Sequence, residues 1–257
     1  MNTFRAKAAF KAFAIHFLVS ATILLILYCY ILQQWYPYPF GTLSSGWNLL
    51  LILAVVDLTS GPLLTALIYN PHKPSRELAL DLFLIALLQT GALIYGLFII
   101  SQARPVVLAF EVDRFTAVSL NQIELEDLRK APAELRSPSW SGPQLIGTRM
   151  PRTGNETLHS IEMSLQGTEP SLRPDWWQDY EESRSLVKRQ MKPLEKLHSR
   201  VDQKQKNIIN KSVHSAALPL KEIFYLPLTS HKFADQWIIL LNDKASIIGY
   251  ANIDGFQ

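Results

Sequence analysis

Few side chains in this sequence are placed to do chemistry, and the most unusual of them lie in apolar surroundings. Asp57 stands in the run Val55-Val56-Asp57-Leu58-Thr59-Ser60-Gly61-Pro62-Leu63-Leu64-Thr65. Asp81, Gln89 and His16 lie in apolar runs of the same kind. Two adjacent carboxylates could share a proton and act in acid catalysis. A single one inside a membrane instead faces other helices and takes a partner there. Elsewhere, His159, His198, His214 and His231 stand singly, without an HExxH or comparable metal spacing. A G-x-S-x-G elbow, a P-loop and a G-x-G-x-x-G turn are all missing. The only cysteine, Cys29, lies in an apolar run, so no intrachain disulfide can form. No catalytic residue, cofactor or metal site is assigned.

The elements that position Asp57 follow from hydropathy. Crossing a hydrocarbon core takes about 20 mostly apolar residues in helix, and residues 12–32, 47–69 and 78–100 meet that requirement. The expected fold class is a membrane protein: three N-terminal transmembrane α-helices (residues 1–103), then a soluble mixed α+β domain (104–257). The first stretch ends Tyr-Ile-Leu-Gln-Gln without a small-x-small cleavage site, which reads as an uncleaved signal anchor. Residues 1–103 hold five basic residues, Arg5, Lys7, Lys11, Lys73 and Arg76, and three acidic ones, Asp57, Glu77 and Asp81. These basic residues put the N-terminus and the second connection in the cytoplasm, and so the domain in the periplasm of a bacterial inner membrane. The uncharged first connection, with Trp35, Tyr36 and Tyr38, reads as an interfacial aromatic belt. A sequence pI near 8.9 thus reflects charges flanking the lipid bilayer. The rest of the chain is nearly charge-balanced, which excludes nucleic acid as a partner.

Depth decides between the carboxylate chemistries. Asp57 lies about 15 Å below Trp47, and Gln89 about 16 Å above Leu78. In a core about 30 Å thick the two meet near the midplane, where Gln89 can donate to the Asp57 carboxyl. Asp81 is only about 4–5 Å from the inner end and Asp57 about 18 Å, so the two cannot share a proton. Pro62 lacks an amide and should kink the helix beside Gly61, with Thr59 and Ser60 available to the freed carbonyls. Gly91 and Gly96 allow close helix approach. His16 reads as a packing or interfacial histidine. The set Asp57, Gly61, Pro62, Thr65 and Gln89 either holds the helices together or receives a membrane-embedded partner.

Beyond Arg104-Pro105 the chain enters a strand directly, with Val106, Leu108, Phe110 and Val112 alternating with their neighbours. Asn121 with Glu124 suggests a capping box and a helix to about Arg136. A short strand over 144–150 and a weak helix over 155–166 follow. Pro174-Asp175 should open a helix carrying Trp177, Tyr180, Val187, Met191 and Leu194, which Pro193 bends or ends near Leu197. The charged stretch 198–211 reads as a solvated helix. Residues 223–228, 237–241 and 246–253 read as strands, the last two forming a hairpin. Trp176, Trp177 and Tyr180 are either core or an aromatic interaction site.

Several segments together resemble the type IV pilin accessory protein family of the TfpX/TfpZ type. They are Trp35-x-Pro37, Asp57-x-x-x-Gly61-Pro62-Leu63-Leu64-Thr65, Lys73, Asp81, Gln89 and Ala92-Leu93-x-Tyr95-Gly96. Outside the spans come Ala103-Arg104-Pro105-Val106, Phe110-x-x-Asp113-Arg114-Phe115, Trp176-Trp177-x-x-Tyr180 and Pro193-Leu194-x-x-Leu197. The resemblance implies a non-catalytic inner-membrane accessory factor whose partner is a type IV pilin subunit. It adds a candidate juxtamembrane partner site at Arg104, Pro105, Asp113, Arg114, Phe115, Trp176, Trp177 and Tyr180. The competing expectation is a membrane enzyme that modifies pilin or a lipid-linked sugar.

Overall fold

A computed structural model describes residues 3–216 and 218–256. Three helices are long and apolar enough to cross a membrane: α1 (Thr3–Gln34), α3 (Gly46–Ile68) and α4 (Ser75–Gln102). Between α1 and α3 the connection folds into one helical turn, α2 (Phe40–Leu43). Helix α3 lies between α1 and α4 and packs on both. Its interior residues are Gly46, Leu50, Leu53, Asp57, Gly61, Pro62 and Thr65, one stripe at three- and four-residue spacing. Leu51, Ile52, Val55 and Val56 point away from it, as they should where lipid tails replace water. Gly96 fits against the Leu53 side chain, whereas nothing lies near Gly91. Only the first of these glycines serves close approach.

A mixed eight-stranded sheet forms the second part. Its strands are β1 (Pro105–Glu111), β2 (Arg114–Ser119), β3 (Gln144–Thr148), β4 (Trp177–Asp179), β5 (Lys192–Pro193), β6 (Phe224–Ser230), β7 (Trp237–Leu241) and β8 (Ile247–Ala251). Their order is β4-β3-β1-β2-β6-β7-β8, with β5 paired to β6. The β1/β2 and β7/β8 pairs are antiparallel, while β3 runs parallel to β1 and β6 parallel to β2. Every residue of β1 is buried, because both sheet faces are covered. Leu108, Phe110, Phe115, Leu226 and Ile239 face one core. Val107, Ala109, Val118 and Ile146 face another, and α7 (Leu194–Arg200) and α8 (Gln203–Ala216) close a third beside β6–β8.

Two expected helices take a different form. Residues 120–136 hold three short 3-10 turns, Leu120–Gln122, Asp127–Lys130 and Ala133–Leu135. The capping box is made by Ser119 and Gln122, not by Asn121 and Glu124. Pro132 cannot donate within a helix, and Leu128 and Ala131 bury against the β1 face instead. The Pro174 helix starts late as well. Pro174–Trp176 is a 3-10 turn and Trp177 enters β4, so α6 (Tyr180–Gln190) begins where Asp179 accepts from the Glu181 amide at 2.8 Å. Pro193 then precedes α7, supplying the extended residue before its first turn. The weak helix expected over 155–166 is α5 (Gly154–Leu165). The stretch 198–211 spans the end of α7 and most of α8, which buries Ile209.

Candidate functional site

Side chains from all three spanning helices meet in the membrane. His16 and Ser20 are one turn apart on α1, Asp57, Gly61 and Thr65 follow each other at four-residue steps on α3, and Gln89 comes from α4. Gln89 Nε2 donates to Ser20 Oγ at 3.0 Å and to the Asp57 backbone carbonyl at 3.1 Å. That leaves Gln89 Oε1 as an acceptor, 2.6 Å from His16 Nε2. The imidazole hydrogen therefore belongs on Nε2, and Nδ1 accepts from the Thr65 hydroxyl at 2.6 Å. One amide and one imidazole thus tie the three helices together.

The expected Gln89 bond to the Asp57 carboxyl is corrected: Gln89 reaches the main-chain carbonyl of that residue. Gly61 explains the route. A Cβ there would collide with the Gln89 amide, so its absence opens the path to the α3 backbone. The hydroxyls beside Pro62 also behave differently from expectation. Thr59 and Ser60 donate to Val55 and Val56 at 2.7 Å each, not to the freed Leu58 carbonyl. A helical hydroxyl reaches back three or four residues, and the positions that could reach Leu58 are Gly61 and Pro62.

The Asp57 side chain itself is only 6% exposed, and among the described residues nothing donates to its carboxylate. It lines a cavity of about 170 Å³ together with His16, Ser20 and Gln89. This space continues along α1 and α4 into a cleft of about 550 Å³ that passes His16 and Thr65 and is lined by Ala8, Ala12 and Ala86. Asp81 is engaged elsewhere, paired to Lys73 at 2.5 Å. The two intramembrane carboxylates do not meet. Sequence reading undervalued His16 and missed Ser20; their four-residue spacing opposite Gln89 was the available signal.

A second constellation joins the helices to the sheet. Arg104 is 2% exposed and lies over the Trp140 ring at 3.7 Å. It donates to the Ser101 and Ser139 carbonyls at 2.6 and 3.0 Å. Desolvation pulls its pKa below the usual range, and burial pushes the Tyr36 hydroxyl up. Tyr36 donates to the Ile100 carbonyl at 2.7 Å, and Trp35 packs on Trp140 at 5.5 Å. The first connection is therefore not simply an aromatic belt in lipid. Tyr36, Phe40 and Leu43 are buried in protein, and Ser230 of β6 donates to the Leu43 carbonyl at 2.9 Å.

The remaining candidates are scattered. Pro105 and Phe115 are buried in the sheet, and Asp113 pairs with Arg114 at 3.0 Å beside the β1/β2 turn. Trp176, Trp177 and Tyr180 are about 5% exposed or less. Trp177 donates to the Ser171 carbonyl at 2.9 Å and Tyr180 to that of Ala245 at 2.6 Å, and Trp176 is flanked by Arg149 and Arg173. These aromatics are core residues in the chain as it stands. Among the described residues no group of three or more His, Cys, Asp or Glu could hold a metal ion.

Fold and site define a class: a three-helix membrane protein with an α+β domain fixed on one end of the bundle. The family profile described as "Fimbrial assembly protein FimB" matches residues 4–45. Two proteins of Dichelobacter nodosus, the fimbrial assembly proteins of serogroups E1 and I, are each 32% identical over the full length of both chains. A third, of serogroups C1 and C2, is 37% identical over 131 residues, half of this chain and all of its own. The chain belongs to the fimbrial assembly protein family, in agreement with the resemblance carried by its Asp57–Thr65 and Ala103–Val106 segments. No solved structure matches it.

Proposed function

We propose that this protein is a non-catalytic, chaperone-like accessory factor that helps a cognate type IV pilin assemble. In this reading it sits in the bacterial inner membrane with its N-terminus in the cytoplasm and its α+β domain in the periplasm. The carrying observation is the junction at which Arg104 bonds both Ser101 of α4 and Ser139 of the domain and Phe40 packs into the sheet core, tying bundle to domain. A pilin has an apolar N-terminal helix and a globular head, so a holder that spans the same two environments can engage both at a fixed spacing. Full-length likeness to fimbrial assembly proteins supports the same reading. Deleting the gene should reduce surface pili without stopping pilin synthesis, and crosslinking in intact membranes should trap pilin with this chain. Normal piliation in the deletion, with no pilin adduct, would reject it.

A further inference from the structure

We propose that the cleft between α1 and α4 receives a transmembrane helix of a partner chain, and that a hydrogen-bond donor on that helix pairs with the Asp57 carboxylate. This deepens the accessory-factor reading and rests on it for the identity of the partner.

The first observation is the unsatisfied acid. Asp57 is more than nine-tenths buried, is near the middle of a 23-residue span, and has no donor among the described residues. The strongest donors around it are already committed: Gln89 donates to Ser20 and to the Asp57 main chain, His16 to Gln89, and Thr65 to His16. Acids inside a bilayer face protein and take partners there, because hydrocarbon offers none. The second observation is the shape of the cleft it lines. Ala8, Ala12 and Ser20 on α1 and Ala86 and Thr90 on α4 border it, and small side chains are what lets a further helix approach closely.

Lipid does not fit as the occupant, and a second copy is the competitor that the test must separate. Acyl chains carry no donor at that depth. Three hydroxyls that face outward in the spans, those of Thr22, Thr59 and Ser60, already donate to the carbonyls of their own helices. A helix from a different chain, with an ammonium, amide or free hydroxyl near the midplane, complements the carboxylate.

Photoreactive residues placed at Val19 or Leu93, which line the cleft, and at Ile52, which faces away from it, test this in native membranes with pilin present. Adducts mapping to the transmembrane helix of pilin are expected from 19 and 93 and not from 52. Asp57→Leu should lower their yield roughly 3- to 20-fold, the range spanned by measured interhelical hydrogen bonds. Asp57→Asn keeps an acceptor of the same size and should retain the adduct, which separates pairing from misfolding. Three results would overturn the proposal: pilin adducts absent from 19 and 93 while piliation still depends on the chain, adducts only with a second copy, or yield unchanged in Asp57→Leu. The first removes the cleft as the docking site and leaves the accessory function standing. Piliation independent of the chain rejects that function, and the cleft proposal then survives only if an identified transmembrane helix of another protein is captured there.

Discussion

At the scale of single residues, the membrane site separates two jobs that the sequence made look like one. Gln89 joins the helices through three hydrogen bonds, whereas the Asp57 carboxylate makes none among the described residues. Interhelical bonds in membranes average about 0.6 kcal/mol each. Gln89→Leu should therefore destabilise the bundle by about 2 kcal/mol, and Asp57→Leu should leave it as stable or slightly more stable. Thermal unfolding of the two purified variants in detergent checks the contrast, and equal loss would mean that the carboxylate supports the fold. The meeting of Asp57 and Gln89 near the midplane was legible from helical rise alone. Which atoms met was not, because the path runs through the missing side chain of Gly61. His16 was misjudged for a related reason: depth along one helix is readable, but the angular face it shares with two others is not.

At the scale of elements, local rules were right about composition and wrong about extent. The segment 155–166 read only as a weak helix, and the structure adds the cap that fixes its start, Thr153 accepting from the Glu156 amide at 3.2 Å. Residues 120–136 carried a similar signal, yet the competing Ser119–Gln122 box and the burial of Leu128 broke the segment into short turns. Helix propensity is a weak prior that tertiary packing overrides. The first turn of α5 also gives a pH dependence. Glu156 accepts from the Arg149 guanidinium at 2.6 Å and from the Arg152 amide at 2.5 Å, which holds its pKa at about 2 against an ordinary 4.5. A depressed acid stabilises the fold above pH 4.5 and loses that contribution as pH falls towards about 2. Hydrogen exchange of α5 in the intact protein should speed up across this window, and Glu156→Gln should flatten the change. Since the group is only partly buried and lies at the surface, the effect is confined to the helix start and screened by salt.

At the scale of the whole molecule, hydropathy located the three long apolar helices to within about a turn except at the start of α1, and charge gave an expected orientation. Under that orientation, alkaline phosphatase fused after Gly46 or at the C-terminus should be active, and after Pro74 inactive; an inactive C-terminal fusion in a membrane-inserted chain would reverse the proposal. What no pattern in the sequence announced is that the first connection belongs to the core of the sheet. Phe40 and Leu43 are 3% and 1% exposed and pack with Leu108, Phe115, Leu226 and Trp237, while Phe40 meets Tyr250 edge-on at 5.8 Å. Those residues are distant in sequence, and the linear reading saw only an uncharged aromatic loop beside lipid. The consequence is measurable. If bundle and sheet share this core, Phe40→Ala should cost about 3–5 kcal/mol, the usual penalty for emptying a buried aromatic site. The loss should appear in the sheet, read as lower urea resistance of Trp237 fluorescence or faster proteolysis between residues 104 and 256. A control at Tyr38, which is 72% exposed, should change little. Were the sheet as resistant in Phe40→Ala as in the parent, the connection would be resting on the domain without stabilising it, and the fixed spacing between membrane cleft and domain would lose its physical basis.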